Sequence, residues 1–367
     1  MRREVEEKLG RIRRFLKQEG YDGVLLTTNE NFCWLSGGRS AFVDKSTGAA
    51  ASKLMVTESG QYVICNSSER YRVMEEELPE DGFELITYQW HEDEYQVLAD
   101  WIRGKRFASD SGVYGTENCS AGIQRLRYVL TEEETARYRK IGPESAGILE
   151  HSCREIRRGE SELEIASRTV QKLMEKGYQV PVCLVAADER LRKYRHPIPT
   201  QRRVDKYAMT AICAQKYGLT VSISRIVSLG EVDEDRAKRM EAVQRIDAAY
   251  ISNTKTGVLA RNVLEKGFEA YQKQGYGEDF HLHHQGGALG YATRDYCADF
   301  TCSETVLGGQ AFSWNPTIAG VKSEDTFLVS GDRQEIVSHT GNWVYREISC
   351  GSGMKLLRPE ILVLQEV

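Results

Sequence analysis

The sequence predicts an α/β (α+β) protein in two parts: a small α/β domain over residues 1–128, then a larger domain over 129–367 built on a curved sheet with flanking helices. Three observations predict it. The first part alternates helical and strand-like periods. Two long helical stretches then follow one another from about residue 131. Beyond them come strands, a second helix pair and strands again, the order of a duplicated unit, legible in the succession of elements and not in residue identity.

In chain order, Val5, Leu9, Ile12, Phe15 and Leu16 recur at helical spacing, giving an amphipathic surface helix without the apolar core of a secretory signal. Its interspersed Glu4, Glu6 and Glu7 argue against a seat on a membrane. "GVLLTT" (23–28) reads as a strand, and "KLMVTESGQYVICNS" (53–67) as a hairpin turning at Glu58, Ser59 and Gly60. Thr131 and Glu134 make a capping-box pattern for a helix that Leu149, Cys153 and Ile156 continue. Ser161 and Glu164 start the next helix, with Leu163, Ala166, Val170 and Leu173 as its apolar stripe. Strands are expected at 181–187, 207–214 and 219–229, helices near 233–252 and 257–274, and further strands at 309–316 and 325–330.

Composition narrows the function. A net charge of −5 with scattered basic residues lacks the footprint of a nucleic-acid binder. Nine cysteines, an odd number with no CxxC pair, predict a reducing compartment and hence the cytoplasm. Cys297 and Cys302 alone are too little for a zinc site.

Four segments then carry a resemblance: "NFCWLSGG" (31–38), "YRHPIPTQRRVDKYAMTAICAQKYGLTVSISRIVSLG" (194–230), "HHQGGALG" (283–290) and "WNPTIAGVKSEDTFLVSG" (314–331). In this order they resemble the creatinase/prolidase/aminopeptidase P superfamily, whose second domain has the pita-bread fold with a mostly antiparallel sheet. The resemblance implies a dinuclear metal centre held by two Asp, one His and two Glu. Those positions fall here at Ala211, Ser222, Gly287, Asn315 and Glu324, so only the last keeps a ligand. Divalent ions of this kind need anionic oxygens and imidazole nitrogens, so neither a metal nor another cofactor is expected.

Creatinase, a metal-free member of that superfamily, offers another chemistry. Its catalytic histidine falls at His196 in "YRHPIP", where Pro197 holds the preceding residue out of the helical region. An imidazole there can take and return a proton. The glutamates that work with it fall at Ser224 and Asn315, which makes creatine a poor substrate. The expected catalytic set is His196 as base and acid, Glu324 orienting it or the attacking water, and His284 beside the substrate. Arg225, His283, Arg294, Asp295, Asn315 and Ser222 are the expected binding residues, and their excess of donors suits a carboxylate. Gly286 and Gly287 are expected to let backbone approach that ligand. In the family the loop equivalent to "SGGRSAFVDKST" (36–47) reaches the partner's active site, so Arg39 and Asp44 are candidates for contact across a homodimer.

The sequence thus predicts a metal-independent, creatinase-like hydrolase or lyase cleaving a C–N bond of a small, polar, carboxylate-bearing metabolite, with no nucleic-acid or membrane partner. An Xaa-Pro metallopeptidase and a ligand-binding protein without turnover are the alternatives.

Overall fold

The computed structural model describes residues 2–79, 81–350 and 353–365. Two compact units divide the chain, Met1–Glu133 with Tyr217–Leu219, and Glu134–Lys216 with Thr220–Val367.

The first unit opens with the helix Arg3–Glu19, which buries Val5, Leu9, Ile12 and Leu16 and ends where Gly20 takes a left-handed φ of 71°. Phe15 stays half-buried. A six-stranded sheet follows, with Gly23–Thr28 between Ala49–Thr57, antiparallel to it, and Phe107–Ser109, parallel to it. The expected hairpin is present, pairing Lys53 with Ile64 and Leu54 with Val63.

The second unit begins with the long helix Glu132–Arg154, which buries Leu149 and Cys153. Helix Glu162–Glu175 is capped as its sequence predicts: the Ser161 hydroxyl accepts from the Glu164 amide, and the Glu164 carboxylate accepts from the Ser161 amide. Its buried face differs from the expected stripe. Ile165, Ala166, Thr169 and Leu173 point inward, while Leu163 is 40 % exposed. Leu163 lies in the first turn beside Glu162, whose carboxylate is buried on the Ala187 and Thr200 amides and the Arg190 guanidinium. Satisfying that buried charge fixes the rotation of the helix and turns Leu163 outward.

The curved sheet is made of two ladders. Leu362–Leu364, Leu219–Leu229, Tyr207–Lys216 and Gln179–Ala187 form one; Tyr296–Cys297, Gly286–Leu289, Ala311–Trp314, Phe327–Ser330 and Arg333–Ile336 form the other. They meet through the amide of Ser224 on the Glu324 carbonyl (3.2 Å) and the amide of Thr220 on the Gly290 carbonyl (2.9 Å). The Thr326 hydroxyl accepts from the Ser222 amide at 2.8 Å, in place of a backbone carbonyl. Helices Glu234–Asn253 and Ala260–Lys273 cover one face. They approach closely because Gly267 has no side chain: a Cβ there would lie 1.9 Å from the Tyr250 ring. That ring stacks on Trp314 at 4.7 Å, and the Trp314 indole donates to the Thr254 hydroxyl. The strand leading to Asn315 is therefore anchored to the helical layer. Among the described residues no helix is long and apolar enough to cross a membrane.

Candidate functional site

A cavity of about 140 Å³ lies in the second unit, where the two ladders meet. Side chains alternate along a strand, so Ala211 and Cys213 of Tyr207–Lys216 both line it. Ser222 sits on the next strand, fully buried. Asn315 follows the strand Ala311–Trp314, and Lys322 and Glu324, two residues apart, enter from the segment after the turn.

The centre of the cavity is an ion cluster. One Glu324 oxygen accepts from the Lys322 ammonium at 3.0 Å and the other from the Arg294 guanidinium at 3.3 Å. Arg294 also donates to the Ser222 hydroxyl at 3.1 Å, and the Cys213 sulfur lies 3.2 Å from that same oxygen. Lys322 and Glu324 are each only 5 % exposed in their side chains. Two cations on one carboxylate leave a net positive charge, and the side-chain oxygen of Asn315, which lines the same cavity, is buried with no hydrogen-bond partner among the described residues.

Those contacts bear on whether the site fits paired metal ions. Ala211, Ser222, Gly287 and Asn315 supply one hydroxyl and one amide where the superfamily has two Asp, one His and one Glu. The remaining carboxylate has a cation on each oxygen. A pair of divalent ions would have to displace an ammonium and a guanidinium from Glu324 for lack of other anionic donors, so the residues present do not fit a dinuclear centre.

Three histidines close one side. His196 lies in a bend just before Pro197, its carbonyl accepting from the Ile198 amide at 3.0 Å, and His283 and His284 lie just before the strand Gly286–Leu289. The Nε2 atoms of His196 and His283 are 3.1 Å apart, and the ring centroids of His283 and His284 are 4.4 Å apart. Burial, followed by the charge of Lys322, pushes His283 down to about 2. Burial, then Arg294 and Lys322, pushes His284 down to about 4. His196 is lowered by burial and by Lys322 against the opposing pull of Glu324. His283 and His284 are therefore neutral at neutral pH, and His196 is shifted in the same direction.

Of the expected site residues, His196, His284, Arg294, Asn315 and Glu324 line the cavity, Ser222 holds Arg294 there, and His283 pairs with His196. The hydrogen bonds of Glu324 go to Lys322 and Arg294, so His283, not Glu324, is the group that meets His196. Arg225 does not line the cavity: its side chain is fully buried on Glu150 (3.2 Å) and Asp325 (3.1 Å). Asp295 is buried beneath the Gly290 turn, one oxygen 2.7 Å from where a Gly290 Cβ would stand, and does not line the cavity. Arg39 and Asp44 are exposed in the first unit, and Asp44 accepts hydrogen bonds from Ser46.

Gly286 and Gly287 also depart from expectation. A Cβ on Gly286 would fall 2.3 Å from the Ser313 carbonyl oxygen, and one on Gly287 would fall 2.1 Å from that of Tyr296. They admit neighbouring strands, not a ligand. Sequence reasoning missed Lys322, although its spacing of two residues from Glu324 in a strand-like stretch was a signal that both share a face.

Comparison with known proteins places this geometry in context. The profile described as metallopeptidase family M24 matches residues 136–331, and that of the creatinase/prolidase N-terminal domain matches residues 8–141. An Xaa-Pro dipeptidase of Pyrococcus horikoshii is 21 % identical over 360 residues, covering 92 % of this chain and 98 % of the relative. An uncharacterized peptidase of Staphylococcus aureus is 20 % identical over 357 residues, covering 90 % and 99 %. Among solved structures, an Xaa-Pro dipeptidase from Bacillus anthracis superposes with a TM-score of 0.78 at 16 % identity, covering 98 % of this chain and all of that one (100 %). The N-terminal domain of the FACT complex subunit SPT16 from chickpea superposes with a TM-score of 0.71 at 11 % identity, covering 92 % and 97 %. At such identities the structural likeness speaks for the fold.

Proposed function

The chain belongs to metallopeptidase family M24, and from that premise we propose that it is a prolidase-type member that binds a small, carboxylate-bearing, dipeptide-like molecule and cleaves its C–N bond without paired metal ions. Relatives described as Xaa-Pro dipeptidases support this substrate class better than the creatinase-like one expected from the histidine. The observation that carries the mechanism is Glu324, engaged on one oxygen by Lys322 and on the other by Arg294.

In this reading the substrate carboxylate, or the oxyanion formed during attack, meets the surplus positive charge of Arg294 and Lys322. The lone pair of His196 takes the proton of the attacking water and returns it to the leaving nitrogen, with His283 fixing the ring. A guanidinium substrate would meet like charge. Contact from Arg39 and Asp44 across a homodimer remains part of the proposal.

The test is turnover of a dipeptide panel, Xaa-Pro members included, by chelator-treated protein, with manganese added back. Activity that survives chelation and disappears in His196→Ala is expected. Two manganese ions bound per chain, with peptidase activity appearing only then, would falsify the reading. Tight binding of a dipeptide with no turnover would instead favour a ligand-binding role, which the replaced donors at 211, 222, 287 and 315 also support.

A further inference from the structure

One imidazole nitrogen from each of His196, His283 and His284 lies within 4.8 Å of the other two. We infer that these three side chains form a mononuclear site for a borderline transition-metal ion, with zinc and copper(II) as the fitting class, separate in residues and in chemistry from the dinuclear centre that the chain lacks.

The geometry is close to what one ion requires. Bonds of about 2.0–2.1 Å to imidazole place two tetrahedral donors about 3.3 Å apart. The His196 and His283 Nε2 atoms already stand at 3.1 Å. Closing the third ring onto them takes a small side-chain rotation in a segment with no strand or helix to resist it. Facing each other at that distance, the two neutral rings share one proton in a single hydrogen bond whose direction is set by their tautomers. His283 leaves its Nδ1 buried with no hydrogen-bond partner among the described residues. An ion takes the place of that shared proton, with both facing nitrogens then offering lone pairs.

Donor softness sets the metal. Three imidazoles with no carboxylate among them suit zinc, copper or nickel and disfavour magnesium, calcium and manganese. Three protein ligands leave the fourth position open. Lys322 and Arg294 line the same cavity and bring positive charge, so an anion is the expected fourth ligand. The inference goes beyond the proposed function, because a bound ion would occupy the lone pair that His196 needs as a base. Zinc would then act as an inhibitor of the metal-free reaction.

The experiment is equilibrium dialysis of untagged, chelator-stripped protein against zinc, with bound metal counted by mass spectrometry. Binding is read without any turnover assay, so its failure is distinct from failure of the proposed hydrolysis. One zinc per chain is expected, with affinity lowered at least about 100-fold in His283→Ala and in His284→Ala, more than loss of an outer-shell partner costs. His281→Ala, an exposed histidine outside the cluster, is the control and should bind as the parent does. Copper(II) in the parent should show nitrogen hyperfine coupling in its electron paramagnetic spectrum. Zinc binding equal in the parent and both cluster variants, no zinc bound at all, or a copper spectrum with oxygen ligands only would each overturn the inference. Circular dichroism of each variant excludes misfolding as the cause of a loss.

Discussion

Glu324 shows how one side chain's neighbours change its chemistry. A carboxylate facing open cavity is a ligand for cations, whereas one with an ammonium at 3.0 Å and a guanidinium at 3.3 Å is already neutralised. In the proposed reading the chemistry of the pocket therefore shifts from holding metal to holding anions. Arg294 is the residue best placed to test this, since its guanidinium reaches both Glu324 and Ser222 from one position. Arg294→Ala should weaken a dipeptide's affinity by roughly 10–100-fold, the worth of about 1.5–3 kcal/mol for a hydrogen bond to a charged group. Calorimetry with the dipeptide and its C-terminal amide checks the cause. The parent should prefer the acid, and the variant should bind both alike.

At the scale of elements, the site depends on close approaches that only glycine permits. Gly267 is the clearest, with the Tyr250 ring where its side chain would be. Alanine at a helix interior gains about 1 kcal/mol of helix propensity over glycine. Against that, a methyl group 1.9 Å from a ring carbon must push Tyr250 off its stack on Trp314, an overpacking cost of about 3 kcal/mol. The clash outweighs the propensity, so Gly267→Ala should lower stability by about 2 kcal/mol, measured as a fall in urea midpoint without change in slope. An unchanged or higher midpoint would mean that the helix pair repacks freely. The helices and strands themselves were legible, because alternation and capping are local: the strand at 23–28 and the capping box at 161–164 come out as their residues predict. The inward face of helix Glu162–Glu175 was not, because its rotation answers to the distant Ala187, Arg190 and Thr200.

Across the second unit, buried charge holds the two ladders and the first long helix together. Arg225 bonds Glu150 and Asp325, while Arg358 bonds Asp247 at 2.6 Å and Asp325 at 2.9 Å, all with side chains at most 1 % exposed. Burial pushes the Asp325 carboxyl up, but the guanidiniums of Arg225 and Arg358 outweigh it and hold it well below the usual carboxylate range. A carboxyl depressed in the folded state contributes stability above its unfolded value, near pH 4, and loses it as pH falls further. Asp325→Asn should therefore cost about 3–5 kcal/mol at neutral pH, since two buried guanidiniums lose their shared partner. It should also flatten the decline in urea midpoint between pH 4 and pH 2.5; a decline as steep as the parent's would place the acid sensitivity elsewhere. Asp247 behaves oppositely, with burial pushing it up to about 6, so it does not account for a loss on acidification.

The sequence by itself determined the two-part architecture, the order of helices and strands, and the replacement of metal-ligating residue types at 211, 222, 287 and 315. The architecture and the order of elements follow from periodicity and capping, which need no knowledge of distant neighbours, and the replacements are what the family resemblance implies. Only the tertiary structure decided that Lys322 and Arg294 share Glu324, that Arg225 is a buried ion-pair partner, and that three histidines from two separate loops converge. A charged side chain lowers its energy by meeting its opposite in space. Chain spacing alone does not say which opposite that will be.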